Sequence, residues 1–405
     1  MRTRRILLVA DAGGRDSGDR WHVGDEAMLA ASIDWLRSAA STTDLVVAST
    51  STAWTRLMYD VAAVSCLDFG DDADTAAARD RYQSVVASLG RAATGDPESD
   101  RATAAFVAAL RAADAVLFCG AGNLCSAFPN RLYERLAVAG LARALGRPYA
   151  FSAQTLGPLW DATDREEVAH ALSGAELVGT RDRRSAELAA DLGVTATPMA
   201  DDALCLTAPA PAADRAGPIG VTLHRSPLEH RRYDPAVLAH LLDQLAETTG
   251  TRLCFIPHFR GPQNRWSDER AADELRTHLR TPLVVTPWCE PMEVIRMTAA
   301  CKLVLSTRYH PLVFALGSGV PALGLYQDDY HLAKLEGALQ MFRRRSWLYP
   351  ADLPDGVGSL VDTATALLRE SVAAAERVTS ARTRSEVLAM DQAARSELLD
   401  RLMRA

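Results

Sequence analysis

Short apolar runs alternate with longer stretches of helical spacing along most of the chain. That alternation predicts an α/β protein with mostly parallel sheets. Ile6 to Ala10 reads as a fully buried first strand, followed by a loop carrying Gly13, Gly14, Gly18 and Gly24. Asp25 and Glu26 then open a helix through Leu36, with acidic side chains placed to complement the helix dipole. Further strands are predicted at Leu45 to Ala48, Ala115 to Cys119, Tyr149 to Ala153 and Leu177 to Gly179. Alanine-rich helical segments fill roughly 73 to 112, with a break expected at Thr94-Gly95-Asp96-Pro97. Another helix is expected from about Arg131 to Leu145.

The Pro- and Ala-rich stretch 207–217 reads as a linker, after which the pattern restarts. Strands are expected at Ile219 to Leu223, Arg252 to Ile256, Val284-Val285, Leu303 to Leu305 and Ala322 to Leu325. From about Val357 the chain reads as helical, with a bend expected near Thr379. The implied organisation is an N-terminal α/β domain over 1–206, a linker at 207–217, a second α/β domain over 218–345, and C-terminal helices over 346–405 that pack back across both. Open parallel sheets bind ligands beyond the carboxyl ends of their strands, so a cleft between two such domains is the expected site.

The 405 residues carry a net charge of −7, without a basic tract or interleaved aromatic and basic residues. Nucleic acid is therefore not the expected partner. Seven cysteines at irregular spacing form no CxxC pair, which predicts reduced thiols in a cytoplasmic protein. No signal-peptide pattern and no apolar run long enough to span a bilayer is present, while peripheral membrane contact and a homo-oligomer stay open. There is no GxGxxG fingerprint after the first strand, no P-loop, and no HExxH or paired His/Cys cluster. A nicotinamide cofactor, a P-loop nucleotide site and a metal are accordingly not expected.

The most informative stretch is Ser306-Thr307-Arg308-Tyr309-His310-Pro311, an arginine and a histidine where a strand ends and a helix begins. Helix starts expose unpaired N–H groups and a partial positive charge, so this turn predicts a site for a phosphate or carboxylate. Its plain alternative is a surface arginine beside a half-buried histidine. Gly24-Asp25-Glu26 either caps a helix or offers a carboxylate as a base. Gly120-Ala121-Gly122-Asn123 and Gln154 to Gly157 close two strands, and glycines there permit close backbone approach to a ligand. Arg181-Asp182 follows a third strand as a helix cap, a salt bridge or an anion contact. His224-Arg225 and the pair His258 and Arg260 end strands of the second domain.

In this order, Gly24-Asp25-Glu26-Ala27, Gly120-Ala121-Gly122-Asn123, Gln154-Thr155-Leu156-Gly157-Pro158, Arg181-Asp182-x-x-Ser185, Ala200-Asp201-Asp202, Ser306-x-Arg308-x-His310, Gly319-x-Pro321 and Tyr326 through Lys334 resemble the polysaccharide pyruvyl transferase family. The resemblance runs from about residue 5 to residue 340. It implies a GT-B-like architecture of two facing Rossmann-like domains, the first on the acceptor side and the second on the donor side. It implies transfer of an enolpyruvyl-derived unit from phosphoenolpyruvate, a co-substrate, onto hydroxyls of a sugar or glycan, with no cofactor. Arg308 would anchor the donor, His310 would protonate its methylene carbon or assist phosphate departure, and Asp25 or Glu26 would act as base. Gly24, Gly122, Asn123, Gln154, Arg181, His224, Arg225, Ser306, Tyr309 and Lys334 would contact substrate.

The chain departs from the family pattern in a long first loop, in Gly-Ala-Gly-Asn where Gly-Gly-Gly is commoner, and in Pro311 after His310. The acceptor thus stays open between a polymer, a lipid-linked sugar and a small metabolite. Other readings are a glycosyltransferase using a nucleotide sugar, a relative recruited to small-molecule biosynthesis, and a binding protein without turnover.

Overall fold

A computed structural model describes residues 3–14, 21–39, 43–67, 69–70, 74–93, 101–208, 217–224, 233–261, 267–353 and 357–404. The strands are β1 (Arg4–Ala12), β2 (Trp21–His22), β3 (Thr43–Ser49), β4 (Ala62–Ser65), β5 (Ala115–Phe118), β6 (Ala121–Leu124), β7 (Tyr149–Leu156), β8 (Leu177–Thr180), β9 (Thr197–Pro198), β10 (Ile219–Thr222), β11 (Leu253–Phe255), β12 (Phe259–Arg260), β13 (Leu283–Val285), β14 (Leu303–Ser306), β15 (Ala322–Tyr326) and β16 (Leu348–Pro350). The chain divides into two compact units, one of Met1–Gly14, Met28–Asp202 and Met390–Ala405, the other of Arg15–Ala27 and Ala203–Ala389.

The first unit is built on a parallel sheet of order β4-β3-β1-β5-β7-β8-β9, with β6 beside β7. Continuous apolar runs such as Ile6 to Val9 are buried because both faces of a parallel sheet are covered. Leu7, Val9, Phe118 and Phe151 point into one core layer, and Ile6, Leu8 and Leu117 into the other. Ala394, Leu398 and Leu402 of the last helix complete that second layer. Phe118 stacks on Phe151 with ring centroids 4.3 Å apart.

The second unit holds a six-stranded parallel sheet of order β13-β11-β10-β14-β15-β16. Numbered within the unit, this is 3-2-1-4-5-6, the doubly wound order whose strand direction of travel reverses between β10 and β14. The same unit contains a feature that no periodicity announces. Residues Arg15–Ala27 belong to it, and β2 pairs antiparallel with β12, His22 opposite Phe259 and Trp21 opposite Arg260. The N-terminal domain read from sequence as 1–206 therefore lacks this segment.

Two further expectations change. The C-terminal helices break at Arg369, and Thr379 lies inside the uninterrupted helix Glu370–Arg404. Residues 390–405 of that helix group with the first unit. The linker read over 207–217 has its residues 209–216 outside the described residues, as does the break at 94–97. Among the described residues no helix is long and apolar enough to cross a membrane.

Candidate active site

At the switch point of the second unit, Thr222 and Ser306 are in register at the ends of β10 and β14. The next residues carry the chemistry. His224 follows β10, and Thr307-Arg308 leads from β14 into the helix Tyr309–Gly317. The turn is locked by the Thr307 hydroxyl, which accepts the His224 N–H at 2.6 Å, and by Ser306 Oγ, which accepts the Arg308 N–H at 2.8 Å. Ser306 is fully buried, so it shapes the turn.

Arg308 is not a free cation. Its Nε donates to both oxygens of Asp268 at 3.0 and 2.9 Å, and its Nη2 donates to Oδ1 at 2.5 Å. Asp268 is fully buried and also accepts the N–H groups of His258 and Phe259 at 2.9 and 3.0 Å. Burial pushes its carboxyl up, opposed by the Arg308 guanidinium and those two N–H groups. The guanidinium also lies over the Phe259 ring at 5.2 Å. The anion anchor expected of Arg308 is thus a positioned fork whose charge is largely offset by a carboxylate.

His310 is the second residue of the same helix, 5% exposed. Its ring meets Tyr309 at 5.1 Å, Phe314 at 5.9 Å and His22 at 6.0 Å. Gly24 forms the wall of its seat, since a Cβ there would lie 1.8 Å from His310 Nδ1. Glycine at 24 is required by close approach and not by helix capping alone. His22 Nδ1 accepts the Asp25 N–H at 3.3 Å and lies 3.3 Å from the Asp25 carboxylate. Glu26 is fully buried, whereas the Asp25 side chain is partly exposed.

His224 feels the charges of Arg308, His331, His22 and Lys334, and its own pKa is driven well below 6.5, by burial first and then by those cations. Its ring lies 5.5 Å from that of His331. Lys334 donates to the Tyr330 hydroxyl at 2.8 Å and lies over that ring at 4.9 Å. Buried His258 is likewise held well below 6.5, by desolvation first. Around the switch point the second unit thus gathers His22, His224, His258, His310, His331, Arg308 and Lys334. Arg225, expected beside His224, lies outside the described residues.

The first-unit candidates fall into two groups. Asn123 donates to Asp11 at 2.8 Å, and Gln154, 2% exposed, donates to the carbonyls of Cys119 and Ser152 at 2.7 and 2.6 Å. The Gly122 carbonyl accepts from the Cys125 thiol. These residues close the carboxyl ends of β1, β5 and β7, the switch point of that sheet. Arg181 is different. It donates to Asp201 at 2.7 Å and to Thr155 at 2.9 Å with its side chain 1% exposed, so its fork is engaged within the fold. Asp202 likewise accepts from Gly120 N–H, Ser152 and Arg395. Asp202, together with the Ala200 N–H that donates to Asp391, is therefore a buried bracket for the last helix.

Sequence reasoning missed Asp268, His22 and His331 as partners of this site. Asp268 opens an ordinary charged helix, Asp268–Arg276, and β2 is only two residues long. The one available signal was that these histidines flank strand ends and helix starts.

Two parallel-sheet units with this strand order and a polar switch point define a GT-B-like fold. The match to solved structures agrees. UDP-N-acetylglucosamine 2-epimerase from Neisseria meningitidis, bound to UDP-N-acetylglucosamine, is similar over 98% of this chain and 100% of its own, with TM-score 0.60 and 12% identity. HepE of Anabaena, in complex with UDP and glucose, is similar over 98% and 100%, with TM-score 0.58 and 14% identity. No curated protein matches the sequence. The profile of the polysaccharide pyruvyl transferase family matches residues 22–329, more than half of the chain. The chain belongs to that family, and it is an enzyme of the transferase kind.

Proposed function

We propose that this enzyme transfers a pyruvyl unit from phosphoenolpyruvate to hydroxyls of a sugar or sugar-containing acceptor, forming a pyruvate ketal. The observation that carries the reading is His310, seated against Gly24 and adjoining Arg308 at the switch point of the second unit, in a chain of this family. In this reading protonated His310 donates to the methylene carbon of the donor, which makes the central carbon electrophilic. Arg308, fixed by Asp268, orients the carboxylate or phosphate, while His22, His224 and Lys334 surround it with further donors. Tyr309 and Ser306 shape the seat. Gly122, Asn123 and Gln154 are the acceptor-side candidates. The donor's two anionic groups suit a cluster of ring and ammonium N–H donors.

A second reading is transfer from a nucleotide sugar, favoured by the similarity in fold to proteins solved with UDP. Incubation with phosphoenolpyruvate and a panel of sugar diols, beside incubation with UDP-sugars, separates them. Phosphate release that depends on the diol supports pyruvyl transfer. UDP release without phosphate release supports the second reading.

A further inference from the structure

Of the groups expected to take the acceptor's proton, Glu26 is buried and Asp25 lies 3.3 Å from the His22 ring. Another pair at the same switch point has the required form. Asp328 follows β15 and is the N-cap of the helix Asp329–Met341. Its Oδ1 lies 2.8 Å from His331 Nδ1 and also accepts the His331 N–H at 2.8 Å. One carboxylate oxygen thus grips both the backbone and the ring of the same residue. A carboxylate on Nδ1 sets the tautomer and leaves Nε2 as the nitrogen that can accept a proton. Burial alone would raise the Asp328 carboxyl, but the His331 ring and the N–H groups of His331 and Tyr330 bring it below its ordinary value. It therefore stays ionised behind the ring at neutral pH.

The surroundings of the ring fit a base. His331 is 13% exposed at its side chain, whereas His258 is 1% exposed. Tyr330 packs edge-on at 5.3 Å and His224 lies on another side at 5.5 Å. Among the described residues, the charged and titratable groups beside it are Asp328, Asp329, Tyr330 and Lys334 of its own helix region and His224 from the end of β10. His224 in turn feels both His331 and Arg308, so the dyad stands one ring away from the arginine–histidine turn.

We propose that His331 is the catalytic base that takes the proton from the acceptor hydroxyl, with Asp328 as its positioning residue. The assignment rests on the pyruvyl-transfer reading above. In the step, the acceptor O–H bond breaks, its proton goes to His331 Nε2, and its electron pair forms the new bond to the donor's central carbon. That carbon is electrophilic because its methylene neighbour has received the proton of His310. The bond from the central carbon to the phosphate oxygen then breaks. Attack by the second hydroxyl closes the ketal. Of the two hydroxyl protons released, one replaces the proton given by His310 and the other leaves with the phosphate.

The test is phosphate release from phosphoenolpyruvate, with a diol sugar that supports turnover, for wild type, His331→Gln and Asp328→Asn between pH 5 and 9. His331→Gln is expected to lower kcat by at least about 100-fold with donor KM changed by less than about threefold. Asp328→Asn removes the carboxylate that orients the ring and fixes its tautomer. It is therefore expected to lower kcat by at least about 10-fold with donor KM changed by less than about threefold, a split that a merely structural residue would not give. An active wild type whose His331→Gln or Asp328→Asn variant keeps its kcat, or in which either change raises donor KM as much as it lowers kcat, overturns the dyad and leaves the donor reading intact. A wild type that releases UDP from UDP-sugars and no phosphate from phosphoenolpyruvate overturns the donor reading and this role with it.

Discussion

Gly24 and His310 are a steric pair: the imidazole occupies the space where any side chain at position 24 would begin, 1.8 Å from a would-be Cβ. The residues are far apart in sequence, yet each is intelligible only through the other. Gly24→Ala should displace the ring and destabilise the fold, and the same change in a His310→Ala background should cost little. The coupling from a double-mutant cycle is expected at about 1–3 kcal/mol, read by chemical denaturation. Additive effects would show that the ring does not sit on the glycine.

His310→Ala should remove turnover by about 100- to 10,000-fold, the range of a general acid, while the folded state persists. Far-UV circular dichroism alongside the phosphate-release rate checks both halves. Full activity in this variant would remove His310 from the chemistry.

Arg308, partly exposed, grips fully buried Asp268 in a bidentate pair, so removing one partner strands the other. Asp268→Ala is expected to cost about 3–5 kcal/mol, measured as a lowered denaturation midpoint. Arg308→Lys should weaken donor binding because an ammonium cannot reproduce the fork. Calorimetric titration showing parental donor affinity in Arg308→Lys would contradict that role.

His258 gives a pH signature. The unfolded chain protonates this ring as the pH falls below about 6.5, whereas burial keeps the folded ring neutral. Stability is therefore full above that pH and declines as the pH drops, by up to about 1.4 kcal/mol per pH unit for this one ring. The decline ends where the folded-state ring itself takes up a proton. His258→Phe should flatten the curve in that window, as followed by urea denaturation at several pH values.

Much of this was legible in the chain. Leu303 to Leu305 followed by Arg308 and His310 announced a strand, a turn and a helix start because apolar burial and capping are local properties. The glycine of Gly24-Asp25 was legible as a motif but not as the seat of His310, since a steric contact across hundreds of residues leaves no local trace. Arg181-Asp182 read as a helix cap, a salt bridge or an anion contact, and only the fold shows Asp201 engaging Arg181. Asp268 and Asp328 carry no local mark, since a carboxylate at a helix start is commonplace. Their partners, Arg308 and the His331 ring, are visible only once the strand ends converge.

The most direct test of the whole account is a crystal structure of the enzyme with phosphoenolpyruvate. The account predicts the donor at the carboxyl ends of β10 and β14, its methylene carbon within reach of the His310 ring and one anionic group against Arg308. A donor bound away from His310, or crystals that take up a UDP-sugar there and exclude phosphoenolpyruvate, would contradict it.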